Sequence, residues 1–229
     1  IERIGDGFLG NIIGRYALRD QLPHGAGDLL ACAVREGDGK MEAGILRGER
    51  LRIGNLILDV RREHRGVADK MQALAVTDHG NMYGAIEFYE ACQKEGIKPI
   101  IGMEAHVVNG SHLEKNRDEK CYEIVLLALN DGGYKNLMKL ASLAHTEGFT
   151  DRPRIDKKLL QQYHEGIVAL SGCFEGEIPW ILRKEDNYEK AKKVVLEYTD
   201  IFGKENFYLE MMDLPALEGQ MDLNTKLIQ

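Results

Sequence analysis

Residues Ala73-Leu74-Ala75-Val76-Thr77-Asp78-His79-Gly80-Asn81-Met82-Tyr83-Gly84 constrain the fold of this chain more than any other stretch. The small apolar residues Ala73 to Val76 read as a buried strand. An acid and an imidazole stand at its C-terminal end, and glycines then release the chain into a helical pattern. α/β architectures are built from such strand-to-helix units and mount their chemistry where the strand ends. From the residues alone, two readings stay open. One is a capped strand end with a hydrogen-bonded histidine. The other is a metal site, in which His79 offers a neutral imidazole and Asp78 orients it or binds a second cation.

The same grammar recurs downstream. Lys98–Val108 reads as a second strand, with Glu104 toward its end and Pro99 near its start, where a missing donor is tolerated. Residues 121–129 form a third strand that contains Glu123. Residues 166–171 form a fourth that runs into Cys173, and Phe207–Met211 is the last. A helix is expected over 84–95, with Ile86, Tyr89 and Cys92 on its apolar face and Gly96 ending it. Others are expected over 134–145, with Leu137, Leu140 and Ala144 as the stripe, and over Lys157–Tyr163, N-capped by Asp156. Residues 175–183 and 187–202 are also helical in pattern, and 109–120 is a polar surface loop. The order β-α-β-β-α-β-α-α-β predicts a mostly parallel, barrel-like α/β domain. His79, Glu104, Glu123 and Cys173 would meet at one rim of it, and all four are competent ligands for Zn²⁺ or Mn²⁺.

Cation usage divides the chain near residue 66. Residues 1–66 hold 10 Arg and 1 Lys, whereas residues 67–229 hold 4 Arg and 15 Lys, and the first part carries 12 of the 25 glycines. Such a flip sets 1–66 apart as a Gly/Arg-rich segment, either a loop-rich extension or a stretch from another reading frame or gene piece. Within it, 10–14 and 53–60 read as short strands and 29–34 as a helix or a buried strand; His24 and His64 are isolated. No apolar run approaches the roughly 18 residues of a membrane span. The four cysteines lack C-x-x-C spacing and read as reduced thiols of a cytosolic protein. A net charge of −7 argues against a chain that coats duplex DNA by itself.

Several motifs now combine. Thr77 to Gly84, followed by Gly96-Ile97-Lys98-Pro99-Ile100-Ile101-Gly102-Met103-Glu104, resembles the PHP (polymerase and histidinol phosphatase) domain at the N-terminus of bacterial DNA polymerase III alpha subunits. Gly133-Tyr134-Lys135-Asn136-Leu137-Met138-Lys139-Leu140, Thr146-Glu147-Gly148-Phe149, Pro153-Arg154-Ile155-Asp156 and Leu170-Ser171-Gly172-Cys173 extend the match. The resemblance spans about residues 68–229, read as a truncated PHP-like domain over 67–229, and leaves 1–66 unassigned.

The resemblance implies a distorted seven-stranded β/α (TIM-like) barrel whose strand ends hold up to three metal ions. In active members these hydrolyse phosphoesters, including 3′-terminal phosphodiesters of DNA. By the same resemblance His79 matches a ligating histidine, Glu104 the glutamate that bridges two metals, and Cys173 a Cys or His ligand. Asp78 matches the acid beside the ligating histidine. Zn²⁺ or Mn²⁺ is the implied cofactor. The Mg²⁺ of the parent polymerase, the rest of its chain, DNA bound through it and other replisome subunits would lie outside these residues, in the cytoplasm and away from any membrane.

Three departures qualify the match. No His-x-His exists in this sequence. Glu123 stands where the third strand of the family carries histidine, and the closing Asp-x-His pair would fall beyond Gln229. The barrel is therefore expected to be incomplete at its first strand and C-terminus. The metal site is expected to be degenerate, holding one ion at best, with a mainly structural role and no assignable catalytic residue. The alternative is a free-standing metal-dependent phosphoesterase resembling histidinol phosphatase. His106, two residues after Glu104 on the same strand face, can reach the site. His145 reads as a helix C-terminal cap, His112 and His164 as solvated, and Lys190, Lys192 and Lys193 as the wet face of their helix. A Cys173 nucleophile ranks below metal ligation, because no histidine is placed to activate it.

Overall fold

The computed structural model describes residues 12–14, 30–35, 41–43, 73–95, 98–212 and 218–228. Nine strands, β1 (Ile12–Gly14), β2 (Leu30–Arg35), β3 (Met41–Ala43), β4 (Ala73–His79), β5 (Lys98–Val108), β6 (Cys121–Ala128), β7 (Arg154–Asp156), β8 (Ile167–Leu170) and β9 (Phe207–Met211), form one mixed sheet. Among the described residues six α-helices accompany them, α1 (Ala85–Glu95), α2 (Asp131–Thr146), α3 (Lys157–Tyr163), α4 (Glu177–Trp180), α5 (Tyr188–Phe202) and α6 (Gln220–Ile228), and a π-helical turn, Ile181–Glu185, follows α4 directly. The strand order is β1-β9-β8-β6-β5-β4-β2-β3, with β7 beside β5. Among the described residues no pairing joins β3 back to β1, so the sheet is open.

The expected strands from β4 onward are present, but the sheet is less parallel than their alternation predicts. β6 runs antiparallel to both β5 and β8. The reason lies in residues 109–120, which contain no helix to carry the chain across the sheet, so β6 returns beside β5 as a hairpin does. β2 settles the ambiguity over 29–34 as a strand, parallel to β4, with Arg35 in register with Asp78. Part of the 10–14 reading is also a strand, β1 along β9. Residues 53–60, His24, His64 and Gly96 lie outside the described residues.

Strand alternation sorts the side chains between two faces. Met103, Ala105, Val107, Ile124, Leu126, Ile167, Ala169, Phe207 and Leu209 meet Leu137, Leu140 and Ala144 of α2, Leu160 of α3 and Val194, Tyr198 and Phe202 of α5 in the main core. Full burial of Leu137 or Leu140 contributes about 1.5–3 kcal/mol each. The opposite face carries a small cluster of Ala75, Val125, Leu127 and Leu170. The same register lines bring Glu104 opposite Val125 and His79 opposite Glu104, so the polar candidates extend this second face at one end. From Gly102 onward β5 is buried on both faces except at His106.

Two helices differ in detail from their periodicity. On α1 the buried stripe is Ala85, Phe88 and Cys92, whereas Ile86 and Tyr89 are 64% and 49% exposed. A strict three-residue spacing drifts around a 3.6-residue helix, and the 85-88-92 row stays on one side. α2 begins three residues earlier than its apolar stripe suggests. Asn130 is its N-cap, accepting from the Gly133 amide at 3.0 Å, so the two glycines lie within the first turn. A Cβ at Gly133 would stand 1.8 Å from the Gly166 carbonyl oxygen, which is why glycine is required where α2 crosses the start of β8. The expected Asp156 cap is present, its carboxylate accepting from the Leu159 amide at 2.9 Å.

Candidate metal centre

The site is built where β4, β5 and β6 present three polar side chains on one face. His79 ends β4, Glu104 lies beside it on β5, and Glu123 stands on β6 diagonally across the ladder. One ligand atom from each of these three residues lies within 4.8 Å of the others. His79 Nδ1 is 3.5 Å from Glu104 Oε1; the Glu104 side chain is 5% exposed and that of His79 35%. Donors around one tetrahedral ion stand about 3.3 Å apart for bonds of about 2.0 Å. Separations of 3.5 Å and at most 4.8 Å are of the size that three donors around one ion require. Two carboxylates and one imidazole held this close form a donor set suited to Zn²⁺ or Mn²⁺.

The loop that carries His79 is held by short-range polar contacts. Gly80 follows with φ +67°, and its amide donates to the Glu104 carbonyl at 2.7 Å. Asn81 Nδ2 donates to the His79 carbonyl at 2.8 Å. Asp78 points to the other face of β4 from His79, and its Oδ2 accepts from the Gly84 amide at 2.7 Å. The acid shown here closes the His79–Gly84 turn at the start of α1. A Cβ at Gly80 would meet Pro153 Cγ at 2.6 Å, so the left-handed turn and the close approach both call for glycine.

Cys173 is not brought into the three-residue set. Its Sγ lies 2.8 Å from Met212 Sδ and 3.5 Å from Gln220 Oε1. Its loop is nevertheless strapped to the site strand, because the Glu123 amide donates to the Glu175 carbonyl at 3.0 Å. His145 departs from the expected cap: its Nε2 lies 3.0 Å from the Gly80 carbonyl, so the end of α2 braces the His79 loop and not its own last turn. His112 departs further. It is 7% exposed, with Nδ1 at 2.6 Å from Asp156 Oδ2 and its amide donating to the same oxygen. His164 Nδ1 lies 2.8 Å from the Gln161 carbonyl. On α5, Lys190 pairs with Glu185 at the surface.

The 109–120 loop is pinned from β7. The Arg154 side chain is 1% exposed and donates to the carbonyls of Gly148, Asn116 and Glu114. Composition gave no sign of this buried guanidinium, because an arginine next to proline in a polar stretch reads as surface. His106 lies directly opposite Glu123 in the β5–β6 ladder and beside Arg154 of β7. Burial pushes its imidazole down to about 4; Arg152 and His79 act in the same direction, against Glu104 and a hydrogen bond with the Pro153 backbone. The ring is thus neutral at physiological pH, and its buried Nδ1 has no hydrogen-bond partner among the described residues. A neutral imidazole with an orphaned nitrogen beside two carboxylates fits a cation site.

The PHP domain family profile matches residues 64–214. The chain is 46% identical over 151 residues to the DNA polymerase III subunit alpha of Helicobacter pylori (strain ATCC 700392 / 26695), covering 62% of this chain and 12% of that protein. It is 43% identical over 162 residues to the subunit of the same name from Borreliella burgdorferi, covering 69% and 14%. The corresponding subunit of Aquifex aeolicus is 42% identical over 148 residues, covering 61% and 13%. The chain thus spans 12–14% of the length of these curated relatives. No helix among the described residues is long and apolar enough to cross a membrane.

Proposed function

The chain belongs to the PHP domain family, and from that membership we propose that it serves as the PHP module of a bacterial replicative DNA polymerase alpha subunit. In this reading residues 67–229 are the module, residues 1–66 a separate leading segment, and the described sheet part of a PHP-type β/α barrel. The module acts in DNA replication through the rest of the polymerase, which holds the DNA, the Mg²⁺ of nucleotidyl transfer and the contacts to other replisome subunits in the cytoplasm. The observation that carries the reading is the 46% identity to a polymerase alpha subunit over 151 residues. The same relatives favour it over a free-standing phosphoesterase of the histidinol phosphatase kind.

At the site, His79, Glu104 and Glu123 would hold one Zn²⁺ or Mn²⁺. A bound ion of this kind supplies positive charge and Lewis acidity. The donors tie the ends of β4, β5 and β6 to one point, which supports a bracing role. Clamping both the attacking and the leaving oxygen of a phosphodiester takes two ions and a larger donor set than the three residues that cluster here. Sequencing the transcript past the codon for Gln229 tests the module reading: continuation into polymerase sequence is expected, and an early stop codon would contradict it. Incubation of the chain with a single-stranded oligonucleotide and Mn²⁺ tests the bracing role. Background release of 3′ nucleotides is expected; release that is abolished by Glu104→Ala would assign hydrolysis to the module.

A further inference from the structure

We propose that His106 is a further ligand of the cation site formed by His79, Glu104 and Glu123, binding through Nδ1. The inference rests on the cation reading above and adds to it a residue outside the three that cluster. Alternation along β5 puts Glu104 and His106 on one face, and the antiparallel ladder sets His106 directly opposite Glu123. The ring therefore stands over the same patch of sheet as two of the three donors.

The hydrogen bonding of the ring prepares one nitrogen for a metal. His106 hydrogen-bonds the backbone of Pro153. A proline offers only a carbonyl, so the ring must donate there. Nδ1 is buried and has no hydrogen-bond partner among the described residues; in the proposed arrangement Nε2 donates and Nδ1 keeps the lone pair. Metal-binding histidines have this arrangement: one ring N–H fixed by a carbonyl, the other nitrogen presented to the ion. Nδ1 also points at the His79 loop, 3.7 Å from where a Cβ would stand on Gly80. A buried acceptor without a donor is costly, and ligation removes that cost.

The chemistry of the donors changes with this assignment. Without His106 the set is two carboxylates and one imidazole; with it, two and two. Imidazole favours Zn²⁺, whereas carboxylates alone suit Mn²⁺ nearly as well. His106 therefore acts as the selectivity determinant of the site, and the test reads selectivity and not only affinity.

The experiment titrates the full 229-residue chain with Zn²⁺ and, separately, Mn²⁺ by calorimetry, for wild type, His106→Gln and His106→Ala. The expected result is a Zn²⁺ Kd raised about tenfold or more in both variants, with the Mn²⁺ Kd changed by much less. Histidine-¹⁵N spectra of the wild-type chain give an independent reading that needs no variant to fold: the His106 Nδ1 resonance shifts on addition of one equivalent of Zn²⁺. Unchanged Zn²⁺ affinity in the variants, with a stationary Nδ1 resonance, would overturn the role of His106 and leave the three-residue site standing. Failure of wild type to bind either ion would overturn both.

Discussion

Gly133→Ala sets helix propensity against packing, and the geometry decides which wins. Alanine is the better helix former by about 1 kcal/mol. Yet the new methyl group would lie 1.8 Å from the Gly166 oxygen and 2.6 Å from the Gly166 carbonyl carbon, both backbone atoms that cannot rotate away. To reach ordinary contact at 3.4 Å, the start of α2 must retreat by about 1.6 Å from β8. That retreat strains the Asn130 cap on the Gly133 amide, at about 1 kcal/mol. It also strains the bond from the Leu129 amide to the Gly166 oxygen, at about 1 kcal/mol more. Overpacking adds about 1–3 kcal/mol. The expected net loss is about 2–4 kcal/mol of unfolding free energy, measured by urea denaturation at pH 7. Gly132→Ala is the control: its methyl group meets the Asn130 side-chain oxygen at 3.1 Å and no backbone, so it should cost about 1 kcal/mol or less. Equal effects at the two positions, or a Gly133→Ala chain as stable as wild type, would refute the argument.

Arg154→Lys should destabilise nearly as much as Arg154→Ala, by about 3 kcal/mol or more. A lysine cannot reach the three carbonyls of Gly148, Asn116 and Glu114 from one buried position, and denaturant titration reads the difference. Asp156 provides a pH test. Burial raises its pKa, but the bonds from the His112 ring, the His112 amide and the Leu159 amide outweigh it and hold the carboxyl below its usual value. A depressed folded-state pKa means that the stability it contributes is present above about pH 4 and is lost as pH falls through the folded value. Denaturation followed from pH 5 to pH 2 should show this loss in wild type and a flatter profile in Asp156→Asn.

The fold was legible wherever one face of an element was buried in a regular period. Leu137, Leu140 and Ala144 announce α2, and the apolar runs around Glu104 and Val125 announce β5 and β6. The buried face of α1 departs from its apolar spacing because Ile86 and Tyr89 are apolar but lie in solvent, while the smaller Ala85 faces inward. Sheet direction was harder: only the helix-free 109–120 loop marks β6 as antiparallel, and that is a statement about topology that no local period carries. In the site, strand-end position singles out His79 and Glu104 in the sequence and residue type singles out Glu123 within the third strand, and the structure brings the three within 4.8 Å of one another. The pinning residues could not. Arg154, His112 and His145 act on elements up to 65 residues away in the chain, through contacts that exist only once β7 lies along β5 and α2 covers the His79 loop.

In the proposed reading His79, Glu104 and Glu123 together hold one divalent cation. Equilibrium dialysis of the full chain against Zn²⁺ and against Mn²⁺, followed by elemental analysis, tests it most directly. One equivalent bound by wild type, and lost in both His79→Ala and Glu104→Ala, is the predicted result. A folded wild-type chain that retains no metal, or one that retains two or more equivalents, would contradict it.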